Sequence, residues 1–449
     1  MLGRPSAARN PLSTADPTGQ RQSPTLTSSR ALARSVLVRN VVFLTLETAV
    51  FFFGLALIDI SSVIPSLFGH LTRLPLLIGL VGSAQAAFWL IPQIFVARVV
   101  AARQRKLPTL LVATSLSRLS WVVLLAALSF PTIAGPRLTL VAAYVSISGF
   151  WFLDGVAALA WFDLIARAVP ATLRGRVFGL LSLAGGLFGV AGGLVVEQVV
   201  GQPGFPYPSD YRLLLIIALA AFAFGTLLLS RVVEAPGEPV PPPEPLGSYI
   251  RRLPSLLHER PSFRRLVGIQ LLVGSASLAV PFYAPFGVLA LGLPEASVGS
   301  FVLGLTVGAM AGGVAWGFLG DHGHKHTAVQ LLAATTLVAP CVPLLLALAV
   351  PSVSTSVLGA LLVVALFFVG CNRSGWVAYT NCVMEIAAPA ERPVLIGLMN
   401  TLGGVLAIAP PIGGLLAGTL GYEATFAAAA IPAAAGLVLS LGLRFDEKR

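Results

Sequence analysis

The segment RGRVFGLLSLAGG at residues 174–186 returns as RPVLIGLMNTLGG at residues 392–404, 218 positions later. The two copies share an arginine, a Gly-Leu pair and a Gly-Gly pair in the same register. Three further pairs of related residues lie at this offset: Asp154 and Asn372, Trp161 and Tyr379, and Asp163 and Asn381. The chain is therefore predicted to consist of two related halves.

Long apolar runs separated by short polar breaks fill most of the chain. Of its 449 residues, 56% are hydrophobic and 10% are charged, whereas soluble globular domains carry about a quarter charged residues. A run of about 20–28 residues can cross the hydrocarbon core of a bilayer as a helix, and barrel strands are much shorter and alternate in polarity. The predicted spans are 41–67, 74–100, 107–130, 137–167, 176–200, 212–233, 263–291, 296–319, 327–350, 354–384, 394–418 and 422–443. We therefore predict an all-α membrane protein, with twelve transmembrane helices in two pseudo-symmetric six-helix bundles.

Lysine and arginine lie mostly in alternate loops. With the N-terminus inside, the inner segments hold 24 of the 29 basic residues, and the outer loops hold only Arg73, Arg137 and Arg212. Because basic loops stay on the cytoplasmic side, both termini of this multi-pass protein are predicted to be cytoplasmic, in the cell (plasma) membrane. The same placement explains the net charge of +11, so no nucleic-acid partner is expected.

A proline-rich break divides the twelve spans six and six, and its composition predicts an extended, semi-rigid cytosolic linker. The N-terminal stretch is rich in Ser, Thr, Pro and Arg, which fits an organelle transit peptide, although a disordered tail is favoured. The predicted domains are a disordered cytosolic tail (1–40), an N-terminal six-helix bundle (41–233), the linker (234–262), a C-terminal six-helix bundle (263–443) and a cytosolic tail (444–449).

The sequence contains no pattern typical of an enzyme. It has no phosphate-binding Gly-Lys-Ser/Thr loop and no cluster of metal ligands or nucleophiles. Its three cysteines lie inside apolar runs, which argues against a disulfide framework. His322, His324 and His326 alternate in one loop, where a solvated loop is favoured over a metal site. We therefore expect no cofactor, no metal site and no catalytic residues.

The architecture resembles that of the major facilitator superfamily of transporters over nearly the whole chain after about Val41. The loop motif of this family, Gly-x-x-x-Asp-x-x-Gly-Arg-Lys/Arg, is echoed between helices 8 and 9, where Gly317, Asp321 and Lys325 stand in a version one residue short. The loop between helices 2 and 3 keeps only the basic residues of the motif.

The resemblance implies a latch on the cytoplasmic face. Asp321 would be favoured by a helix dipole, with Gly317 and Lys325 completing the loop of the second half. In the first half, Asp163 is a candidate partner for three basic residues of the 2–3 loop, namely Arg103, Arg105 and Lys106. Topogenic charge in contact with lipid headgroups is the alternative interpretation.

The resemblance also implies a central cavity lined by helices 1, 4, 7 and 10. Charged groups in the hydrocarbon region cost about 2.5–3.5 kcal/mol on insertion scales and therefore face protein or water; Glu47, Asp59, Arg118, Asp154 and Arg373 lie in the spans. Helices 4 and 10 also carry matching aromatic and polar faces, for which packing is the alternative. The predicted cavity residues are Asp59, Asp154, Arg373, Asn372, Trp151, Trp161, Trp376, Tyr379 and Gln270.

Several roles are open for these charges. Asp154 or Asp59 would exchange a proton as the exposure of the cavity alternates. Alternatively, Asp154 and Arg373 would form a structural ion pair between the halves, or Arg373 would bind an anionic group of the substrate. Arg118 would pair with Glu47 or face a neighbouring helix.

We predict a secondary active transporter that moves a small solute by alternating access, coupled to protons. The stretch 409–414, Ala-Pro-Pro-Ile-Gly-Gly, is similar to the antiporter signature of the family and favours export. The alternatives are an importer of a small polar or organic-anion solute and, from another class, a non-transporting membrane scaffold or an intramembrane enzyme on a transporter fold. The expected partners are the substrate, protons and membrane lipids, and the protein is expected to be a monomer.

Overall fold

A computed structural model describes residues 24–234, 255, 257–349, 353–386 and 392–443. Helices make up nearly all of these residues, and no strand occurs among them. This outcome follows from the apolar composition, because a chain in lipid must satisfy its own backbone hydrogen bonds and a helix does so within one segment.

Eight helices form the first half. They are α1 (Pro24–Leu57), α2 (Val63–Leu71), α3 (Pro75–Ala102), α4 (Leu107–Leu119), α5 (Trp121–Ser129), α6 (Pro131–Ala168), α7 (Ala171–Val199) and α8 (Ser209–Leu229).

The second half contains more irregular helices. It begins with α9 (Pro261–Gly274), a 3-10 segment (Ser275–Phe282), one α turn (Tyr283–Pro285) and a π segment (Phe286–Ala290). It continues with α10 (Ser297–Asp321), α11 (Lys325–Ala349), α12 (Thr355–Arg373), α13 (Trp376–Ile386), α14 (Arg392–Gly403), a 3-10 segment (Gly404–Ile408), α15 (Ala409–Thr419) and α16 (Gly421–Leu441).

The predicted twelve-helix fold class is confirmed. Eleven segments of the described chain are long and apolar enough to cross a membrane, and α3 adds the twelfth with its apolar part at Pro75–Trp89. Two details differ from the prediction: α1 begins at Pro24, inside the predicted tail, and five spans are built from two or more helical pieces. Residues 1–23, most of the linker and residues 444–449 lie outside the described residues.

The first and last described residues, Pro24 and Leu443, lie on one face of the bundle, because the number of spans is even. We call it the terminal face; it also carries the loops at 103–106, 169–170 and 322–324. The opposite face, which we call the distal face, carries the loops at 72–74, 200–208 and 291–296. The terminal face is the one predicted to be cytoplasmic.

The part of the molecule that the structure describes contains three hydrophobic cores, one shared by both halves and two confined to one half each. The common core contains residues of both halves, such as Leu57 and Phe282, and lies toward the distal face. Toward the terminal face, one core has residues of the first half only, such as Leu164, and the other has residues of the second half only, such as Leu332. In the described chain, the halves therefore share a core at the distal face and have separate cores at the terminal face.

Glycines allow the two halves to approach closely. A Cβ atom on Gly193 of α7 would lie 2.8 Å from the Leu303 side chain of α10, and one on Gly414 of α15 would lie 2.6 Å from the Leu76 Cα of α3. Such contacts are typical of helices that pack through small residues in membranes.

Candidate functional site

An ion pair joins the two halves near the middle of the spanning region. Arg373 donates hydrogen bonds from Nη1 and Nη2 to Oδ2 of Asp59 at 3.2 and 3.1 Å, and Nη2 also donates to Oγ of Ser61 at 2.5 Å. The pair lies where the common core ends, since Ile60 belongs to that core and Cys371 belongs to the core of the second half.

A break in the first span fixes the Asp59 carboxylate. Because α1 ends at Leu57 and α2 begins at Val63, the backbone groups between them need partners outside a helix. Oδ1 of Asp59 accepts hydrogen bonds from the Ser61 backbone N–H at 2.9 Å and from Oγ of Ser62 at 2.8 Å. This local turn holds Oδ1, so Oδ2 is the oxygen that meets the second half.

A second break positions Arg373, the last residue of α12. The Gly375 N–H donates to the Asn372 carbonyl at 2.8 Å and the Val377 N–H donates to the Ser374 carbonyl at 3.1 Å, which is a 3-10 pattern that aligns residues three apart. Trp376 therefore lies in line with Arg373. Trp376 is 67% exposed.

A charge cluster lies inside the first half. Nη1 of Arg118 donates to Oδ1 of Asp154 at 2.8 Å and to Oγ of Ser117 at 2.6 Å. The guanidinium carbon also lies 4.7 Å from the ring centroid of Phe51 and 5.0 Å from that of Phe222, within the range of cation–π attraction. Arg118 is buried, so the aromatic rings take the place of water around it.

Glu47 is the second carboxylate of this cluster. It is buried, and it lines a narrow pocket together with Arg118, Thr114 and Phe222. Oγ1 of Thr48 donates a hydrogen bond to Oε2 of Glu47 at 3.5 Å, and the Trp161 side chain lies close to the same carboxylate. Two carboxylates thus lie around one guanidinium: Asp154 is bonded to Arg118, and Glu47 lines the same pocket. With both acids ionised, the cluster carries one uncompensated negative charge, which one bound proton removes.

The sequence model described as Major Facilitator Superfamily matches residues 117–409, which is more than half of the chain. The chain belongs to the Major Facilitator Superfamily. Membership of the Major Facilitator Superfamily indicates a membrane transporter and not an enzyme. No curated protein shows a significant sequence match.

Solved transporters share the superfamily fold with this chain. A bacterial homologue of the human lysosomal transporter Spinster, inward-facing and unoccupied, has a TM-score of 0.62 at 15% identity, over 91% of this chain and 95% of that chain. The nucleoside transporter NupG gives 0.61 at 12% identity, over 91% and 98%. A D-xylose–proton symporter gives 0.62 at 15% identity, over 89% and 97%. At these identities the likeness shows the fold.

Asp154 and Arg373, two of the predicted cavity residues, do not bind each other. An ion pair between Asp154 and Arg373 is wrong: Asp154 bonds to Arg118, and Arg373 bonds to Asp59. The physical reason is the break after Leu57, which turns the Asp59 carboxylate toward the second half. For Arg118, the sequence offered Glu47 as one candidate partner, whereas the structure pairs its guanidinium with Asp154.

Some of the remaining predicted cavity residues lie at these two charged sites, and the others pack around them. Trp376 follows Arg373 by one 3-10 turn, and Trp161 lies close to Glu47. Trp151 packs edge-on against Phe150 at 5.1 Å between ring centroids, and Asn372 donates to Oγ1 of Thr336. The buried polar atoms Gln270 Oε1 and Tyr379 Oη have no hydrogen-bond partner among the described residues.

The terminal face of the first half holds an ion-pair network. Oδ2 of Asp163 lies 3.2 Å from Nζ of Lys106 and 3.0 Å from Nη2 of Arg167. Arg103 and Arg105, the other two candidate partners, are exposed. Asp163 thus contacts a basic residue of the 2–3 loop, and its function as a latch stays a prediction.

The corresponding loop of the second half pairs differently from the family motif. Lys325 contacts Oε2 of Glu385 at 2.5 Å, and a Cβ atom on Gly317 would meet open space. The Asp321 side chain lies outside the described part of the structure. Glu385 is absent from the predicted site because its carboxylate follows an apolar run and matches no motif.

A contact between the halves on the distal face has no signal in the sequence. Nε2 of His70 lies 3.0 Å from Oε1 of Glu295, and the imidazole stacks on the Tyr207 ring with 4.5 Å between centroids. Burial, and then the nearby Asp210 carboxylate, raise the pKa of the Tyr207 phenol, so the stacked ring stays neutral. Hydropathy identifies His70, Tyr207 and Glu295 only as residues in loops or at helix ends. They come together because the fold brings distant loops of the chain into contact.

Proposed function

We propose that the protein is a secondary active transporter that moves a small solute by alternating access. The observation that carries this proposal is the position of the Asp59–Arg373 pair, where the common core gives way to two separate cores. Rocking of the halves about this level exposes the pair first to one face and then to the other. Transporters commonly place their substrate sites at such a boundary between repeats, on interrupted helices.

Proton coupling is assigned to the cluster of Glu47, Arg118 and Asp154. A single buried guanidinium compensates one carboxylate, and an uncompensated charge in this environment is costly. One proton therefore binds or leaves as the water exposure of the cluster changes. This assignment replaces Asp59 with Glu47 as the partner of Asp154 in coupling, because Asp59 is already paired with Arg373.

Export is the favoured direction, and import of a small polar or organic-anion solute is the alternative. The antiporter-like stretch at 409–414 opens α15, where a Cβ on Gly82 of α3 would lie 3.3 Å from the Pro410 side chain. This stretch thus lies at a contact between the halves, where it affects how they move. A non-transporting scaffold would need no exposed arginine at this boundary.

Coupling is tested in proteoliposomes with an imposed pH gradient and a panel of candidate solutes. We expect at least one solute to move against its own gradient. In Glu47→Gln, we expect loss of gradient-driven flux and retention of solute exchange, because solute binding is separate from proton binding. The matched control is Glu423→Gln, which removes an exposed acid in the first turn of α16.

Gradient-driven flux that survives in a Glu47→Gln, Asp154→Asn double variant would refute coupling through this cluster. Flux that is equally impaired by Glu423→Gln would show that the loss reflects general damage to the protein.

A further inference from the structure

The pairing of Arg373 leaves part of its binding capacity unused. Both Nη groups donate to a single oxygen of Asp59, whereas a guanidinium binds a carboxylate best as a fork, with one donor for each oxygen. Nε of Arg373 makes no hydrogen bond to any described residue. The Arg373 side chain is 38% exposed, so a ligand can reach it.

Asp59 can release Arg373 without losing all its partners. Oδ1 keeps the hydrogen bonds from Ser61 and Ser62, and the carboxylate lies just before the N-terminus of α2, where the helix dipole favours negative charge. Arg373 has no comparable alternative among the described residues, because its other bond goes to the neutral hydroxyl of Ser61. A ligand that replaces Asp59 must therefore be an anion.

An apolar surface lies next to this cation. Trp376 is largely exposed, and the 3-10 turn aligns it with Arg373, whose guanidinium meets Asp59 of the first half. Exposed tryptophan is a common anchor for ligands because its ring buries a large area on contact. The side chains of Tyr379 and Cys382, farther along α13, are buried in the second half, which leaves the Trp376 ring as the accessible apolar group near the ion pair.

We infer that Arg373, Trp376 and Ser61 form a binding site for an organic acid, a carboxylate joined to an apolar or aromatic group. The ligand carboxylate takes the Nη donors of Arg373 in place of Oδ2 of Asp59, and its apolar part covers the Trp376 ring. The inference rests on the proposed transport function and names the substrate class of its central site.

Matched acids and amides test the inference with the full-length purified protein, at one pH and without a gradient. The probes are benzoate, naphthoate and octanoate, each paired with its neutral amide. Binding is measured as the rise in the unfolding midpoint, detected by a thiol-reactive dye; Cys371 and Cys382 are buried in the folded protein and become reactive on unfolding.

We expect at least one acid to stabilise the protein and its amide to bind at least roughly tenfold more weakly, since charge-assisted hydrogen bonds are lost. Arg373→Gln should weaken acid binding by a similar factor, whereas Arg137→Gln, which removes an exposed arginine of α6, should leave it unchanged. Trp376→Leu should weaken the binding of naphthoate more than that of octanoate.

Asp59→Asn supplies the most distinctive result. Removing the competing carboxylate should tighten acid binding by roughly tenfold, as for any site freed from an intramolecular competitor. A purely structural ion pair predicts the reverse, since its loss would disturb the site. The inference is overturned by weaker acid binding in Asp59→Asn, by amides that bind as well as acids, or by a panel in which no acid stabilises either protein.

The two proposals fail in different ways. If Glu47→Gln loses gradient-driven flux but still binds acids, the anion site is supported, and its binding does not depend on proton coupling. Coupled flux of a solute in Arg373→Gln at the wild-type rate, with no acid binding, would reject the anion site and leave proton coupling intact.

Discussion

At the scale of single residues, Arg118 is the group on which the charge cluster of the first half depends. Arg118→Gln leaves Asp154, whose side chain is only 14% exposed, without a cation, and breaking a buried pair in this way costs about 3–5 kcal/mol. We expect a marked fall in the unfolding midpoint in detergent. Adding Asp154→Asn should recover part of the loss, because the stranded charge is then gone.

A double variant no more stable than Arg118→Gln alone would contradict this account. In that case, the contribution of Arg118 would come from its contacts with Phe51, Phe150 and Phe222 and not from its charge. Arg118→Lys separates the two contributions further, since it keeps the cation and loses the planar guanidinium.

The sequence identified the five charged residues of these sites, but neither the serines that bond to them nor the pairing of the charges. Five charges within apolar runs are visible in any hydropathy profile, since each is costly in lipid. The partner of Arg373 depends on the turn at residues 58–62, which brings Asp59 toward the second half. The 218-residue repeat relates Asp154 to Asn372, the neighbour of Arg373, but an ion pair depends on the distance between two side chains and not on matching positions in the two halves.

At the scale of helices, the contact between α3 and α15 tolerates no added volume at Gly414. A Cβ atom there would lie 2.6 Å from the backbone of α3, so Gly414→Ala forces two helices of different halves apart. Overpacking of this kind costs about 1–3 kcal/mol, and we expect a lower unfolding midpoint. Gly179→Ala on α7 is the control, since its Cβ meets open space and alanine favours a helix by about 1 kcal/mol.

Equal midpoints for Gly414→Ala and wild type would show that α3 and α15 can separate at no cost, contrary to the close contact described above. Gly179→Ala should not lower the midpoint; a fall as large as that of Gly414→Ala would mean that the effect does not arise from the helix contact.

Hydropathy predicts spans well and their interruptions poorly. All twelve predicted spans have helical counterparts, because the mean polarity of about twenty residues decides whether a segment enters lipid. The breaks at 58–62 and 374–375 were not predicted, since a few polar residues barely change that mean. These breaks nevertheless position Asp59 and Arg373, so the central site depends on the feature that averaging removes.

At the scale of the whole molecule, the unequal cores describe one state of a two-state transporter. The halves are joined at the distal face by the common core and by the His70–Glu295 pair. Alternating access requires a second state in which the distal face opens, so the common core must part and this ion pair must break. The ion pairs that the structure describes on the terminal face lie within one half, as between Lys325 and Glu385, and survive that motion.

Glu295→Gln should therefore shift the protein toward the state that is open at the distal face. A reporter cysteine at Ala279, which is fully buried in the common core, measures this population in a background without the three native cysteines. A partly exposed ion pair contributes about 0.2–1 kcal/mol, so we expect the labelling rate to rise about 1.4- to 5-fold.

Glu423→Gln removes an exposed acid on the same face and should leave the rate unchanged. An unchanged rate in Glu295→Gln would mean that the common core alone closes the distal face, and an equal rise in Glu423→Gln would assign the effect to surface charge.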